Sequence, residues 1–252
     1  MFSVVLPCFN ECRHGYLPKI LENLSQQAGA KQLIAVVSPS TDDTLAVIQR
    51  YPAVQVIETD AVNRAQRLNV GIEASQGDRV LLHHPATLLP EKTALIQAEQ
   101  ALTEGPKEAV WGGFVHSFDM AHWLLRFTSW YSTVVRSQRQ RILYLDHCIF
   151  AQRQVLMEIG GVPDMDIFED TALSLALAAY GKPVIAAGKV VTSGRRFRDR
   201  GIYRQALLNQ LLKVMYHANL DPQRLNWLYE RKSQINVGYA SASRSGNSDR
   251  EA

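Results

Sequence analysis

Between residues 2 and 90, short unbroken apolar runs alternate with helical patterns, and this alternation limits the folds open to the chain more than any other feature. Phe2–Leu6, Leu33–Val37, Val54–Glu58 and Val80–His83 read as strands buried on both faces, because apolar residues fill nearly consecutive positions. Between them Leu17, Ile20, Leu21 and Leu24 recur at helical spacing, with Pro18 early in the helix where its missing N–H costs little. Thr44–Tyr51 and Ala65–Ala74 carry further helical patterns, Pro7 closes the first run, and Ser38–Asp43 is rich in turn formers. Such alternation predicts an α/β fold, a mostly parallel sheet flanked by helices. Sheets of this kind bind ligands beyond the carboxyl ends of their strands. The loops beginning at Pro7, Ser38 and His83 are therefore the places to look for chemistry.

The second half is less regular. Glu91–Thr103 reads as a helix and Ala109–Phe118 as a strand with an irregularity at Gly112-Gly113. Met120–Gln140 is helical and rich in aromatic residues and arginine, Cys148–Ala151 is extended, and Gln154–Ile159 is a short helix. Thr171–Tyr180 is a strongly apolar helix; Val184–Ala187 and Val190–Thr192 are extended. Gln205, Asn209, Lys213 and His217 recur every four residues opposite Leu208, Leu211, Leu212 and Met215, which predicts an amphipathic helix that packs on its own domain or lies on a membrane surface. Residues 1–232 are expected to form one domain: a ligand-binding half at 1–90, a second half at 91–200 and a helical C-terminal extension at 201–232. Residues 233–252 read as a disordered tail.

A net charge of +3 gives no reason to expect a nucleic-acid partner. From Lys189 to Lys232, however, ten Lys/Arg stand against three Asp/Glu, a local excess of +7 that suits either a solvated face or a surface for phosphates and anionic headgroups. Cys8, Cys12 and Cys148 lack metal-ligand spacing and read as reduced thiols. No basic segment precedes the apolar run at Phe2–Leu6, and the longest apolar candidate, Ala172–Val191, is cut by Gly181-Lys182-Pro183. A cytoplasmic protein, with the option of peripheral contact at the inner face of a membrane, is expected.

Four segments in order resemble one family. Val4-Val5-Leu6-Pro7-Cys8-Phe9-Asn10-Glu11 is similar to the first strand and loop of family 2 glycosyltransferases. Val36-Val37-Ser38-Pro39-Ser40-Thr41-Asp42-Asp43-Thr44 resembles their second strand and its Asp-rich loop, Arg64 to Gly71 their Arg…Asn-x-Gly helix, and Gly77 to Thr87 the strand that carries their metal motif. Farther on, Gly160-Gly161-Val162-Pro163, Phe168-Glu169-Asp170 and Arg195-Arg196-Phe197 resemble the family's acceptor-side Glu-Asp and basic–aromatic elements. The spacing points to a small bacterial subgroup associated with radical-SAM and selenium-related proteins. The resemblance covers roughly residues 2–231.

The resemblance implies a GT-A type, Rossmann-like sheet, a nucleotide-sugar donor such as a UDP-sugar, and an acceptor of unknown kind, lipid-linked carriers included. Asp170 takes the place of the family's general base and Glu169 precedes it; the same pair also fits simple N-capping of the following helix. Pro7, Asn10 and Glu11 would shape the base and ribose pocket, with Ser38, Asp42, Asn69 and His84 also on the donor side, although Asn10 and Glu11 equally suit a helix start. Arg64 matches the residue that reaches donor phosphate. Asp146 would line the acceptor pocket or serve only its loop, and Arg195 and Arg196 would meet phosphate or acceptor.

Two positions depart from the family's pattern. Ser38 stands where an Asp usually hydrogen-bonds the base, and Ala86 stands where the metal-binding Asp is expected. Mg2+ and Mn2+ require oxygen ligands that an alanine methyl lacks. His83 or His84 would offer nitrogen only to a softer metal. Without a dication, the leaving diphosphate needs Arg64, Arg67, Arg79 or the Arg195-Arg196 pair. Two functions remain open: an inverting transferase, or a degenerate relative that binds a nucleotide or a protein without transfer. A nucleotidyltransferase or a dehydrogenase would need a Gly-rich loop after the first strand, and Pro7–Glu11 has no glycine. Trp123, Trp130 and Tyr131, with Arg126 and Arg136, fit either a core or a surface for a sugar face or lipid carrier.

Overall fold

A computed structural model describes residues 1–90, 92–105, 109–230 and 237–238. The expected tail falls outside the described residues except at Val237 and Gly238. Eight strands form one sheet: β1 (Phe2–Cys8), β2 (Lys31–Val37), β3 (Val54–Glu58), β4 (Arg79–Leu82), β5 (Thr87–Leu88), β6 (Trp111–Phe118), β7 (Ile149–Gln152) and β8 (Val184–Thr192). Their order across the sheet is β3-β2-β1-β4-β7-β6-β8-β5. The first four run parallel, β7 is antiparallel to both β4 and β6, and β8 is parallel to β6. This is the mixed, mostly parallel α/β sheet of the GT-A type, with helices on both faces and more at the C-terminus.

The unbroken apolar runs supply both faces. In β1, Val4 and Leu6 join one core with Leu17, Ile20, Leu21 and Leu24 of α1 (Tyr16–Ser25) and Leu95 of α4 (Ala94–Thr103). Val5 points the other way, onto Leu68 and Ile72 of α3 (Arg64–Glu73) in a second core that also holds Leu173 and Leu177 of α7 (Glu169–Leu177). Period-two alternation in a fully buried strand requires this division.

Several elements differ from their sequence-based outlines for physical reasons. Pro7 lies within β1 and does not close it: its nitrogen faces the β4 side, and β4 pairs only with Phe2–Val5, so no ladder hydrogen bond is lost. The second helix, α2, stops at Ile48 (Thr44–Ile48), where Tyr51 precedes Pro52 and cannot easily stay helical. The irregularity expected at Gly112-Gly113 falls instead between Phe114 and Val115, and the two extended segments after Pro183 are one strand. Met120–Gln140 divides into α5 (Trp123–Trp130) and a π-helix (Tyr131–Gln140). A short α6 (Arg153–Glu158) follows β7. The C-terminal part comprises α8 (Arg195–Arg200), α9 (Ile202–His217) and α10 (Pro222–Glu230). On α9 the apolar side packs inward at Leu208, Leu212 and Met215 as expected, but Leu211 is exposed, Gln205 is buried, and Asn209 and Lys213 turn to a cavity, so only His217 of the polar row is exposed.

Candidate functional site

The loops after β1 and β2 are knitted together by side chains that satisfy each other's backbone. Asn10, held at φ 53°, accepts from Thr41 N (2.7 Å), while its own N–H donates to Ser40 Oγ (3.1 Å). Asp42 accepts from Cys12 N (2.9 Å) and Thr44 N (3.1 Å), and Glu11 N–H donates to Thr44 Oγ1 (2.8 Å). Short polar side chains bonding to nearby backbone are the turn chemistry that their types favour. Ser38 donates to Ala61 O (2.6 Å) and accepts from Arg67 Nη1 (3.1 Å). Burial lowers the Arg67 pKa to about 10, and its guanidinium also stacks over Phe9. Asn63 caps α3 through Gln66 N (2.9 Å), and Asn69 grips both backbone polar groups of Val162 (2.7 and 2.8 Å).

Beyond β4 the chain turns through His83–Ala86 into β5, which pairs antiparallel with the end of β8. Ser193 N–H donates to Ala86 O (2.8 Å), so the residues just after β8 lie against the loop that carries Ala86. Asp119 fixes that approach by accepting from Gly194 N (2.7 Å) and Arg198 Nη1 (3.1 Å). Arg195 and Arg196 are thereby delivered to the wall of a cavity that Arg64, His84 and Ala86 also line. The three guanidinium groups act together on His84. Burial first, then Arg64, Arg196 and Arg195, hold its imidazole well below its usual pKa and therefore neutral. Arg195 is also 3.8 Å from Glu11, whose carboxyl is pushed up to about 7, mainly by burial. One buried guanidinium nitrogen of Arg195, Nη1, has no hydrogen-bond partner. His83 lies wholly buried with its pKa lowered to about 3 by burial, and it does not line the cavity.

This donor set does not suit a divalent cation. Ala86 offers no oxygen from its side chain, Glu169 is already bonded to Arg64, and Glu11 faces Arg195. Among the described residues, no three His, Cys, Asp or Glu side chains are grouped so as to hold a metal ion. Three arginines beside the loop would moreover repel a dication.

Another part of the wall comes from α7. Asp170 lines the cavity and accepts from Leu145 N (3.0 Å). Its carboxyl is raised well above the ordinary range, by burial first and by neighbouring Glu169 second, against the pull of Arg64. Asp146 shares the wall. Burial would raise its pKa, but His116, His147, Arg136 and Lys213 together bring it below its usual value. His116 Nε2 stands 3.3 Å from Asp146. His147 is fixed by Phe114 O (2.8 Å) at Nδ1 and by Ser132 (2.8 Å) at Nε2, and Ser132 in turn accepts from Arg136 (3.1 Å).

Arg64, His84, Ala86, Asp146, Asp170, Arg195 and Arg196 therefore meet at one cavity. Glu169 sits behind Arg64 as its counter-ion, buried to 1% exposure, a role that the N-cap alternative did not anticipate. Pro7, Asn10, Glu11, Ser38, Asp42 and Asn69 do not line the cavity: Asn10, Glu11, Ser38 and Asp42 build loops after β1 and β2, Pro7 lies within β1, and Asn69 lies on α3. Arg79, offered above as a phosphate cation, lies at the amino end of the sheet and pairs with Glu99 (2.9 Å). Among the cavity-wall residues that escaped the sequence are His116, Ser132, Tyr144, Lys213 and Tyr229. Lys213 had a signal in the four-residue polar repeat of α9, but that row resembled a solvated face. Tyr229 is found only because α10 folds back so that Arg196 bonds its hydroxyl.

A mixed, mostly parallel sheet flanked by helices, with further helices at the C-terminus, is a GT-A-like fold. Residues 3–160 match Glycosyl transferase family 2, and the chain belongs to that family. No curated protein shows significant similarity to it. Among solved structures, the mannosyltransferase PcManGT from Pyrobaculum calidifontis, in complex with GDP-Man and Mn2+, superposes with a TM-score of 0.65 at 17% identity, covering 90% of this chain and 69% of that one. S. aureus TarS 1-349 in complex with UDP-GlcNAc gives 0.61 at 16% identity, over 76% of this chain and 58% of that one. The longer S. aureus TarS structure gives 0.60 at 14%, over 91% of this chain and 42% of that one, so the chain spans only about half the length of these TarS structures.

Proposed function

We propose that the protein transfers a sugar from a nucleotide-sugar donor to an acceptor hydroxyl with inversion, and that arginines take the place of a divalent cation. The carrying observation is the convergence of Arg64, Arg195 and Arg196 on the loop where alanine replaces the expected carboxylate. Family membership and the nucleotide sugars held by PcManGT and TarS support the donor class. In this scheme Asp170 takes the acceptor hydroxyl's proton as the oxygen attacks the anomeric carbon. The bond from that carbon to the diphosphate breaks, and the diphosphate leaves with the electron pair. Its growing charge falls beside the guanidinium groups, where preorganised donors in a water-poor site stabilise it most. The unpartnered Arg195 Nη1 is suited to an arriving phosphate oxygen.

The test is turnover of UDP-, GDP- and TDP-sugars with Mn2+ and with EDTA. Turnover that EDTA leaves within about twofold, and that Arg195→Gln lowers by about 10²–10³, is expected. Strict dependence on a metal would overturn the arginine scheme. The competing function, a nucleotide binder that transfers nothing, draws on Ser38, whose hydroxyl is already engaged by Ala61 and Arg67. Nucleotide binding without turnover of any donor would establish it.

A further inference from the structure

The sequence left open whether the aromatic helix belongs to the core. Tyr131 is half-buried and Arg136 buried, but Trp123, Phe127 and Trp130 of α5 are each more than half exposed (58%, 53% and 53%) and recur at spacings of four and three, one stripe of the helix. A second stripe runs along α9, where Tyr203, Leu207 and Val214 are 62–67% exposed. The stripes lie side by side. His122 and Tyr203 rings are 5.6 Å apart at one end, and Phe127 and Val214 line one groove farther along. Adjacent exposed apolar stripes on a soluble domain mark a contact surface.

We propose that this α5–α9 face docks on an anionic lipid bilayer. Its charge selects that occupant. The Trp123–Gln140 segment and α9 contain no Asp or Glu, while Arg126, Arg139 and Arg204 stand exposed among the apolar residues. Two copies joined through this face would bring like charges together, whereas an anionic surface complements it. Tryptophan and tyrosine beside arginine on a helix that lies flat is the composition that settles at a headgroup boundary. No helix among the described residues is long and apolar enough to cross a membrane, so contact would be at the surface. The groove between the helices shares Arg136, Tyr144, Phe168 and Lys213 with the cavity that holds Asp170, so a docked protein would open that cavity toward the lipid. Bilayer binding does not depend on the proposed sugar transfer.

Flotation with vesicles of phosphatidylcholine alone, or with 30 mol% phosphatidylglycerol, tests the surface. The wild-type chain should float only with the anionic vesicles, and its tryptophan emission should shift to the blue and be quenched by brominated acyl chains. Phe127→Ser with Trp130→Ser and Leu207→Ser should lower partitioning more than tenfold. Arg126→Glu with Arg204→Glu should lower it by at least fivefold for each charge removed, on the order set by lysine and arginine at such surfaces. Met157→Glu, exposed on α6, should leave it unchanged. Failure of the wild-type chain to bind anionic vesicles would overturn the proposal, and so would binding that the triple substitution leaves intact. A dimer in sedimentation that the same substitution dissolves would overturn it in favour of a second copy.

Discussion

Asp170 is caught between two requirements. As the proposed base it must be ionised, yet burial and the carboxylate of Glu169 favour its neutral form. Its raised pKa means that the catalytically useful form is lost on acidification sooner than for an ordinary carboxylate. The acid limb of kcat should therefore fall in the range approaching neutrality, above the usual carboxylate region, in a pH–rate profile. Asp170→Asn should lower kcat by about 10²–10⁴ and leave nucleotide affinity, measured calorimetrically, unchanged. The same residue should carry a stability signature. A carboxyl whose folded pKa is raised contributes stability below its unfolded pKa, and that contribution is lost as pH rises through the folded pKa. Asp170→Asn should therefore melt at a higher temperature than wild type at pH 8 and lose that advantage near pH 4. A role confined to capping α7 predicts the reverse at pH 8, since an ionised cap stabilises a helix start.

The elements show where sequence patterns suffice and where they stop. β1, β2 and β4 were legible because their apolar runs have one cause, burial on both faces, whereas the edge strand β3 is buried only at Val54. Gly112 was legible only as an anomaly. A Cβ there would lie 2.1 Å from Val184 O, so glycine lets β6 and β8 approach, while the register shift occurs two residues later. Gly112→Ala should cost upwards of 1–3 kcal/mol, as overpacking does, read as a lowered denaturant midpoint with an unchanged slope. An unshifted midpoint would mean that the strands part without strain. The α9 helix was legible as amphipathic, and Leu208, Leu212 and Met215 do pack inward, but the inward turn of much of its polar row was not legible. Periodicity reports that a helix has two faces, but which face meets the protein depends on what stands opposite. Here the partner is a polar cavity wall carrying Tyr144 and Asp170, so Asn209 and Lys213 turn inward. The cost of that inward turn shows in Lys213, whose pKa falls to about 8 through burial first and Arg136 second.

At the scale of the molecule, Arg64, Arg195 and Arg196 come from two distant stretches of chain, the starts of α3 and α8, and Tyr229 of the returning α10 bonds Arg196. The sequence offered Arg64, Arg67, Arg79 and the Arg195-Arg196 pair alike, and the β5–β8 pairing brings Arg195 and Arg196 to Ala86. A ligand held by these elements binds the folded chain alone and so raises its stability by mass action. At a hundredfold excess over Kd that gain is about 2.7 kcal/mol. For a domain of this size each kcal/mol shifts Tm by roughly 2–4 °C, so saturating nucleoside diphosphate should raise Tm by about 5–11 °C. If the arginines hold the diphosphate, the shift should be the same in EDTA as in Mn2+. It should shrink as NaCl rises, because phosphate contacts to partly exposed guanidinium groups are screened. Arg195→Gln should reduce the shift in both buffers equally. A shift that appears only with Mn2+ would place a metal at the diphosphate after all, with Ala86 bypassed by ligands from the donor itself.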